Sequence, residues 1–184
     1  MSQTRPDWLV GADRGAAAAE RIYTAAADLL ARDGFDALDI DALAARVHCS
    51  RATVYRHAGG KTQIRDAVLA RSAARIVETV RAAVTGLSGR ARVLTAVEVA
   101  VGEVRSDPVA RLLVGVSGTG VLVTSDTVTG FARDLAGLAD DDPEAANWIV
   151  RVVLALLFWP ATDSATERRM LERFLAPGFG PEPS

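Results

Sequence analysis

A chain of 184 residues, 49% of them hydrophobic and 24% charged, has enough apolar material for one compact domain or two small ones. Its one cysteine, Cys49, excludes an internal disulfide and leaves a cysteine-based zinc site short of ligands, since only His48 and His57 could join it. The start has no apolar run behind a basic segment, and no stretch reaches the ~18–20 apolar residues that cross a bilayer, so a cytoplasmic protein with no membrane partner and no cofactor is expected.

In chain order, residues 1–13 read as a flexible start. A first helix follows: in "AAAAERIYTAAADLLARDGF" Ile22, Ala25, Ala26, Leu29 and Leu30 recur at helical spacing, with Gly34 as the stop. Asp39 can cap a short second helix whose Ile40, Leu43, Ala44 and Val47 share one face, and Ser50 stands in cap position before a third, "RATVYRH", with Val54 turned inward. Two short helices joined by about three residues make a helix-turn-helix. Gly59 and Gly60 end the third helix, and Lys61 or Thr62 opens a long fourth one carrying Ile64, Val68, Ile76, Val80 and Val84.

Beyond Gly86 the punctuation again predicts helices. Asp107 and Pro108 open one, and Asp142 and Pro143 open a strongly apolar one that stops at Pro160 and should be buried on most faces. Residues 119–129 have strand-like composition, but a lone strand would lack a partner, so they are read as helical. The last helix, "SATERRMLERFLAP", reads as capped by a Ser164–Glu167 box, and residues 177–184 as a flexible end. The chain is therefore all-α, with a helix-turn-helix domain over 14–60 and a second helical domain over 61–176.

Charge is unevenly spread. Residues 46–75 hold seven basic side chains, Arg46, Arg51, Arg56, Lys61, Arg65, Arg71 and Arg75, against Asp66 alone, a local +6 inside a chain of net charge -2. Such a block is the footprint expected where phosphates are held, although a charge run by itself is more often a solvated face. Enzyme readings fail on the residues. The neighbours His48 and Cys49 diverge in direction at a helix junction. "GVSGTG", Gly115 to Gly120, has Thr119 where a nucleophile elbow needs glycine, and lacks the Lys-Ser or Lys-Thr of a phosphate loop. The three aspartates at 140–142 read as a loop capping the next helix.

Residues 16–75 resemble the DNA-binding domain of the TetR-type transcriptional regulators, through Gly34-Phe35, Leu43-Ala44, His48-Cys49-Ser50, Thr53-Val54-Tyr55, His57-Ala58 and Lys61. "WIVRVVLALLFWP" and "ERRMLERFLAP" are similar to that family's last two helices, which pair across a two-fold axis. Three positions depart from the pattern: His48 replaces the turn glycine, Ala58 a phenylalanine, and Asp39 a capping threonine. The resemblance also implies that Cys49 lies in the core.

The resemblance implies a homodimeric repressor that binds a palindromic operator in double-stranded DNA and is released by a small-molecule effector. A helical ligand- or partner-binding module with a degenerate DNA-binding domain is the alternative. In such a fold Arg51 and Thr53 would meet base edges. Tyr55, Arg56, His57 and Lys61 would hold phosphates, with Arg46, Ser50 and Ala52 completing the interface. Val97, Val101, Leu113, Val116, Leu122, Phe131 and Trp148 are the candidate lining of a largely apolar effector pocket. Trp148, Val152, Leu156, Trp159, Met170 and Phe174 are the candidate dimer contacts.

Overall fold

The computed structural model describes residues 8–139 and 142–180, with the side chains of 8–14, 116–121 and 123 left aside. Every regular element among these residues is helical, and they fall into two units, divided between Arg71 and Ser72.

The first unit holds α1 (Trp8–Asp33), a 3-10 turn at Phe35–Ala37, α2 (Ile40–Arg46), α3 (Arg51–Ala58) and the start of α4 (Lys61–Ala83). Residues 8–13, expected in a flexible segment, are already helical; residues 1–7 lie outside the described ones. The α1 stripe Ile22, Ala25, Ala26, Leu29 and Leu30 is buried, as its spacing requires. Leu38, Leu43, Val54 and Ile64 are fully enclosed with it. Ala58 is buried and Phe35 only half-buried, so the small residue at 58 leaves the closing bulk to Ile64. Arg21 of α1 donates to the Val47 carbonyl at the end of α2, satisfying an acceptor that the helix itself cannot.

The second unit holds the rest of α4, then α5 (Gly89–Ser106), α6 (Pro108–Val123), α7 (Asp126–Ala136), α8 (Pro143–Phe158) and α9 (Ser164–Met170). A π turn at Leu171–Leu175 and a 3-10 turn at Ala176–Gly178 follow. Residues 119–123 extend α6, and α7 begins after the Ser125 cap, so the strand-like composition yields to helix. Val93, Val97 and Val101 of α5 pack with Ile149, Leu156, Leu171 and Leu175 as the main core. Phe179, within the expected loose end, packs against it; residues 181–184 and two of the three aspartates, 140 and 141, are not described.

Two polar clusters fix helices in this unit. Asp107 caps α6 through the Val109 N–H (2.9 Å) and accepts from Ser72 and Arg75 on α4. Burial works against its charge, yet Ser72, the Val109 and Ala110 N–H groups and Arg75 hold the carboxyl below the usual range. The second cluster corrects the capping box. Asp163 is the cap of α9, accepting from the Thr166 N–H at 2.7 Å. Glu167 is buried instead: both Arg105 Nη atoms meet its carboxylate at 2.8 and 2.6 Å, and the Ala161 N–H adds a third donor. Arg105 also donates to the Leu156 carbonyl, so one guanidinium ties α5 to the end of α8 and to α9. That hydrogen-bonded pairing holds the Glu167 carboxyl below its ordinary range despite burial.

α8 is not buried on most faces. Ile149, Val150, Leu154 and Leu156 are enclosed, while Trp148 (53% exposed) and, at its C-terminal end, Phe158 and Trp159 (74%) face outward. No helix among the described residues is long and apolar enough to cross a membrane.

Candidate nucleic-acid interface

The interface begins with two capped helices and the turn between them. Asp39 accepts from the Asp41 and Ala42 N–H groups at 2.8 and 3.0 Å, and these backbone bonds hold its carboxyl below the usual range. α2 ends at Val47 in a left-handed turn: His48 has φ +54°, its N–H returns to the Ala45 carbonyl, and the Cys49 N–H reaches Ala44. This is the Schellman arrangement, usually built on glycine, with a histidine at the left-handed position. A residue with a β-carbon there costs about 1–2 kcal/mol. Replacing His48 by glycine is therefore expected to stabilise the first unit by about 1 kcal/mol after the extra chain entropy of glycine is subtracted. Urea unfolding curves of the two proteins check it, as a higher midpoint at unchanged slope.

Ser50 opens α3 by accepting from the Thr53 N–H at 3.2 Å, and its hydroxyl also lies 2.9 Å from Thr53 Oγ1. The Thr53 hydroxyl thus has one partner within the protein, and its methyl group makes no such bond. Val54 and Ala58 anchor the inner face. Arg51, Ala52, Tyr55 (51% exposed) and Arg56 point away from the core, with Thr53 and His57 half-buried. His57 leans on α1, where a β-carbon at Gly15 would stand 3.7 Å from its Nδ1. At the start of α4, Lys61 is exposed with Nζ 3.5 Å from the Asp36 carbonyl. Cys49, implied to be a core residue, is half-buried, its Sγ 3.5 Å from the Ser50 carbonyl.

The basic block is less free than its count implies. Arg46 pairs with Asp28 at 3.2 Å, Arg51 with Asp41 at 3.0 Å, Arg65 with Asp66 at 2.9 Å and Arg71 with Glu20. Arg75 pairs with Asp107 within the second unit. Only Arg56 and Lys61 of the seven have no carboxylate within ion-pair distance among the described residues. The acids arrive from positions 18, 51 and 32 residues distant for Arg46, Arg71 and Arg75, so the local count could not see them.

Among the described residues the remaining candidates stand in several different surroundings. Val97 and Val101 are core residues of α5, Leu122 packs with Val150 and Leu154, and Leu113 is half-buried on α6. Phe131 is exposed, Trp148 borders a surface hollow with Pro143, Glu144, Asn147 and Arg151, and the Val116 side chain lies outside those described. Two further hollows, of ≈ 450 and ≈ 390 Å³, flank Glu98 and Arg168 and are lined by charged residues, Arg90 in one and Arg105 and Glu167 in the other. Of the dimer candidates, Trp148, Trp159, Met170 and Phe174 are exposed and Val152 is half-buried, but Leu156 belongs to the core. Among the described residues no three His, Cys, Asp or Glu side chains gather as metal ligands.

Two capped helices joined by a tight turn, with one face of the second held outward, define a helix-turn-helix DNA-binding protein. Residues 22–68 match the family model described as bacterial regulatory proteins, tetR family. Curated relatives in two strains of Mycobacterium tuberculosis, named as uncharacterized HTH-type transcriptional regulators, are 29% identical over 181 residues, covering 93% of this chain and 89% of theirs. A TetR-like transcriptional regulator from Rhodococcus sp. RHA1 superposes with a TM-score of 0.64 at 22% identity, over 89% of this chain and 96% of that one. AibR, crystallised with isovaleryl coenzyme A and operator DNA, gives 0.56 at 16% identity, over 87% and 98%. Residues 22–68 thus match the TetR-type helix-turn-helix region, and the chain as a whole is similar in sequence to HTH-type transcriptional regulators and in fold to TetR-family ones.

Proposed function

We propose that the protein is a cytoplasmic homodimeric repressor that binds a palindromic operator and leaves it when a small molecule binds the second unit. The observation that carries the DNA reading is α3 itself, with Arg51, Ala52, Tyr55 and Arg56 outward over a buried Val54 and the exposed Lys61 just beyond. In a dimer the two recognition helices would lie about one DNA turn apart, ~34–36 Å. Release needs an effector that prefers the form with the wrong spacing. α4, which carries the chain from one unit into the other and is bound to the α5–α6 corner through Asp107, is the element such a preference would move. Effector response is supported by the likeness to AibR, and the charged hollows beside α5 favour a ligand with an ionic group on an apolar body over a purely apolar one.

The dimer reading rests on exposed aromatic surface. Trp159 and Phe174 are 74% and 69% exposed, and large apolar side chains left in water mark an interaction surface when they gather in one patch. Changing both to glutamate should raise the dimer dissociation constant at least 100-fold, since each buried aromatic is worth roughly 2–3 kcal/mol. Sedimentation at micromolar protein reads it, and an unchanged dimer would place the interface elsewhere.

DNA contact is tested by salt. Affinity falls with log[salt] at a slope of about -0.9 per phosphate neutralised. If only Arg56 and Lys61 act in each subunit the slope is about -4, becoming steeper if Arg46 exchanges its carboxylate for a phosphate. Salt-independent binding, or none, would favour the ligand-binding module with a degenerate DNA domain.

A further inference from the structure

We propose that Asp41, on α2 rather than on the recognition helix, is a positioning residue that aims Arg51 at a guanine. The inference rests on the DNA-binding function proposed above and names the base that function reads.

Arg51 is the first residue of α3, the part of a recognition helix that meets base edges. Its Nε stands 3.0 Å from Asp41 Oδ1, and both side chains are 62% exposed, so the pair forms on the outer surface. A guanidinium carries five N–H donors in a rigid plane. Asp41 Oδ1 stands beside Nε as an ion pair rather than an in-line hydrogen bond, and the edge it leaves open is the pair of terminal nitrogens. Two parallel donors match the O6 and N7 acceptors of guanine, whereas adenine places an N6–H donor where one acceptor is needed. An unanchored arginine would instead spread its long side chain among phosphates and bases. The Asp41 carboxylate opposes the phosphate option directly, because bringing Arg51 to the backbone brings an anion with it. Asp39 stands nearby with its charge committed to the α2 N–H groups, so Asp41 is the carboxylate paired with Arg51. In water this exposed pair is weak; against DNA, with solvent excluded, it gains.

A consequence separates Arg51 from its neighbours. Since Arg51 keeps its carboxylate, it releases no counterion from the phosphates. Arg51→Ala should reduce specific affinity without changing the salt slope, while Lys61→Ala should lower the slope by about one per subunit.

The test is selection of bound fragments from a random double-stranded DNA pool by the wild-type protein and by Asp41→Ala, Asp41→Asn and Arg51→Ala, each first shown to melt and sediment as wild type. Wild type should return a half-site with one guanine preferred over adenine by about 10–100-fold, the range of a good bidentate contact. Asp41→Ala should bring that preference below about three-fold while raising affinity for unrelated DNA. Asp41→Asn, which removes the charge that makes the ion pair, should behave like Asp41→Ala, and Arg51→Ala should lose the preference altogether. A consensus whose guanine preference is the same in wild type and Asp41→Ala overturns the role of Asp41 and leaves the DNA-binding function standing. No consensus from wild type overturns that function, and this inference with it.

Discussion

Replacing Tyr55 and Lys61 together by alanine is expected to abolish operator binding while leaving a folded protein of unchanged oligomeric state. Both side chains lie outside the core: Tyr55 is half exposed, and Lys61 is exposed with its Nζ 3.5 Å from the Asp36 carbonyl. Their removal therefore costs little stability, as exposed substitutions usually do. In a complex each would donate to a phosphate, and a hydrogen bond to a charged group is worth about 1.5–3 kcal/mol. Two such bonds in each of two subunits make a loss of at least 100-fold a conservative expectation. Titration of labelled operator, with thermal melting as the control for folding, measures it. Wild-type affinity in the double variant would mean that α3 and the start of α4 are not the DNA-binding surface.

Glu167→Ala is expected to destabilise the second unit by about 3 kcal/mol. The Glu167 side chain is 9% exposed and accepts three hydrogen bonds, two from Arg105 and one from the Ala161 N–H, while Arg105 also donates to the Leu156 carbonyl. Removing one partner of a buried pair leaves the other charge uncompensated, at about 3–5 kcal/mol. The lower figure applies because Arg105 keeps 36% of its side chain in contact with water. The loss should appear as a lower denaturant midpoint, and changing both residues, Arg105→Met with Glu167→Leu, should recover much of it by leaving no charge behind. A variant Glu167→Ala as stable as wild type would show that the pair contributes only geometry.

These two residues also show what the sequence can and cannot reveal. Caps were legible because they act over two or three residues: Asp39, Ser50, Asp107 and Asp142 all accept from the N–H groups that their positions predict. The buried stripe of α1 and the inward Val54 follow from helical spacing in the same way. Glu167 was misread because its local pattern, three residues after a serine, fits a capping box equally well, and its true partner Arg105 lies 62 residues earlier. The acids that pair with Arg46, Arg71 and Arg75 were out of reach of a local count in the same way, since they come from elsewhere in the chain. Trp148 and Trp159 carried a different ambiguity. An apolar helix must be covered, but composition cannot say whether its own chain does the covering, and here both side chains face outward. The effector site was the least legible, because valines and leucines that fill a core and those that line a cavity are chemically the same; Val97 and Val101 fill.

The central claim, that the outward face of α3 reads a defined DNA sequence as a symmetric pair, is tested most directly by selecting fragments from a random double-stranded pool with the wild-type protein. The account predicts a palindromic consensus whose half-sites are centred about one helical turn apart, ~10–10.5 base pairs. Recovery of unrelated fragments with no shared sequence, from protein that is folded and dimeric, would contradict it.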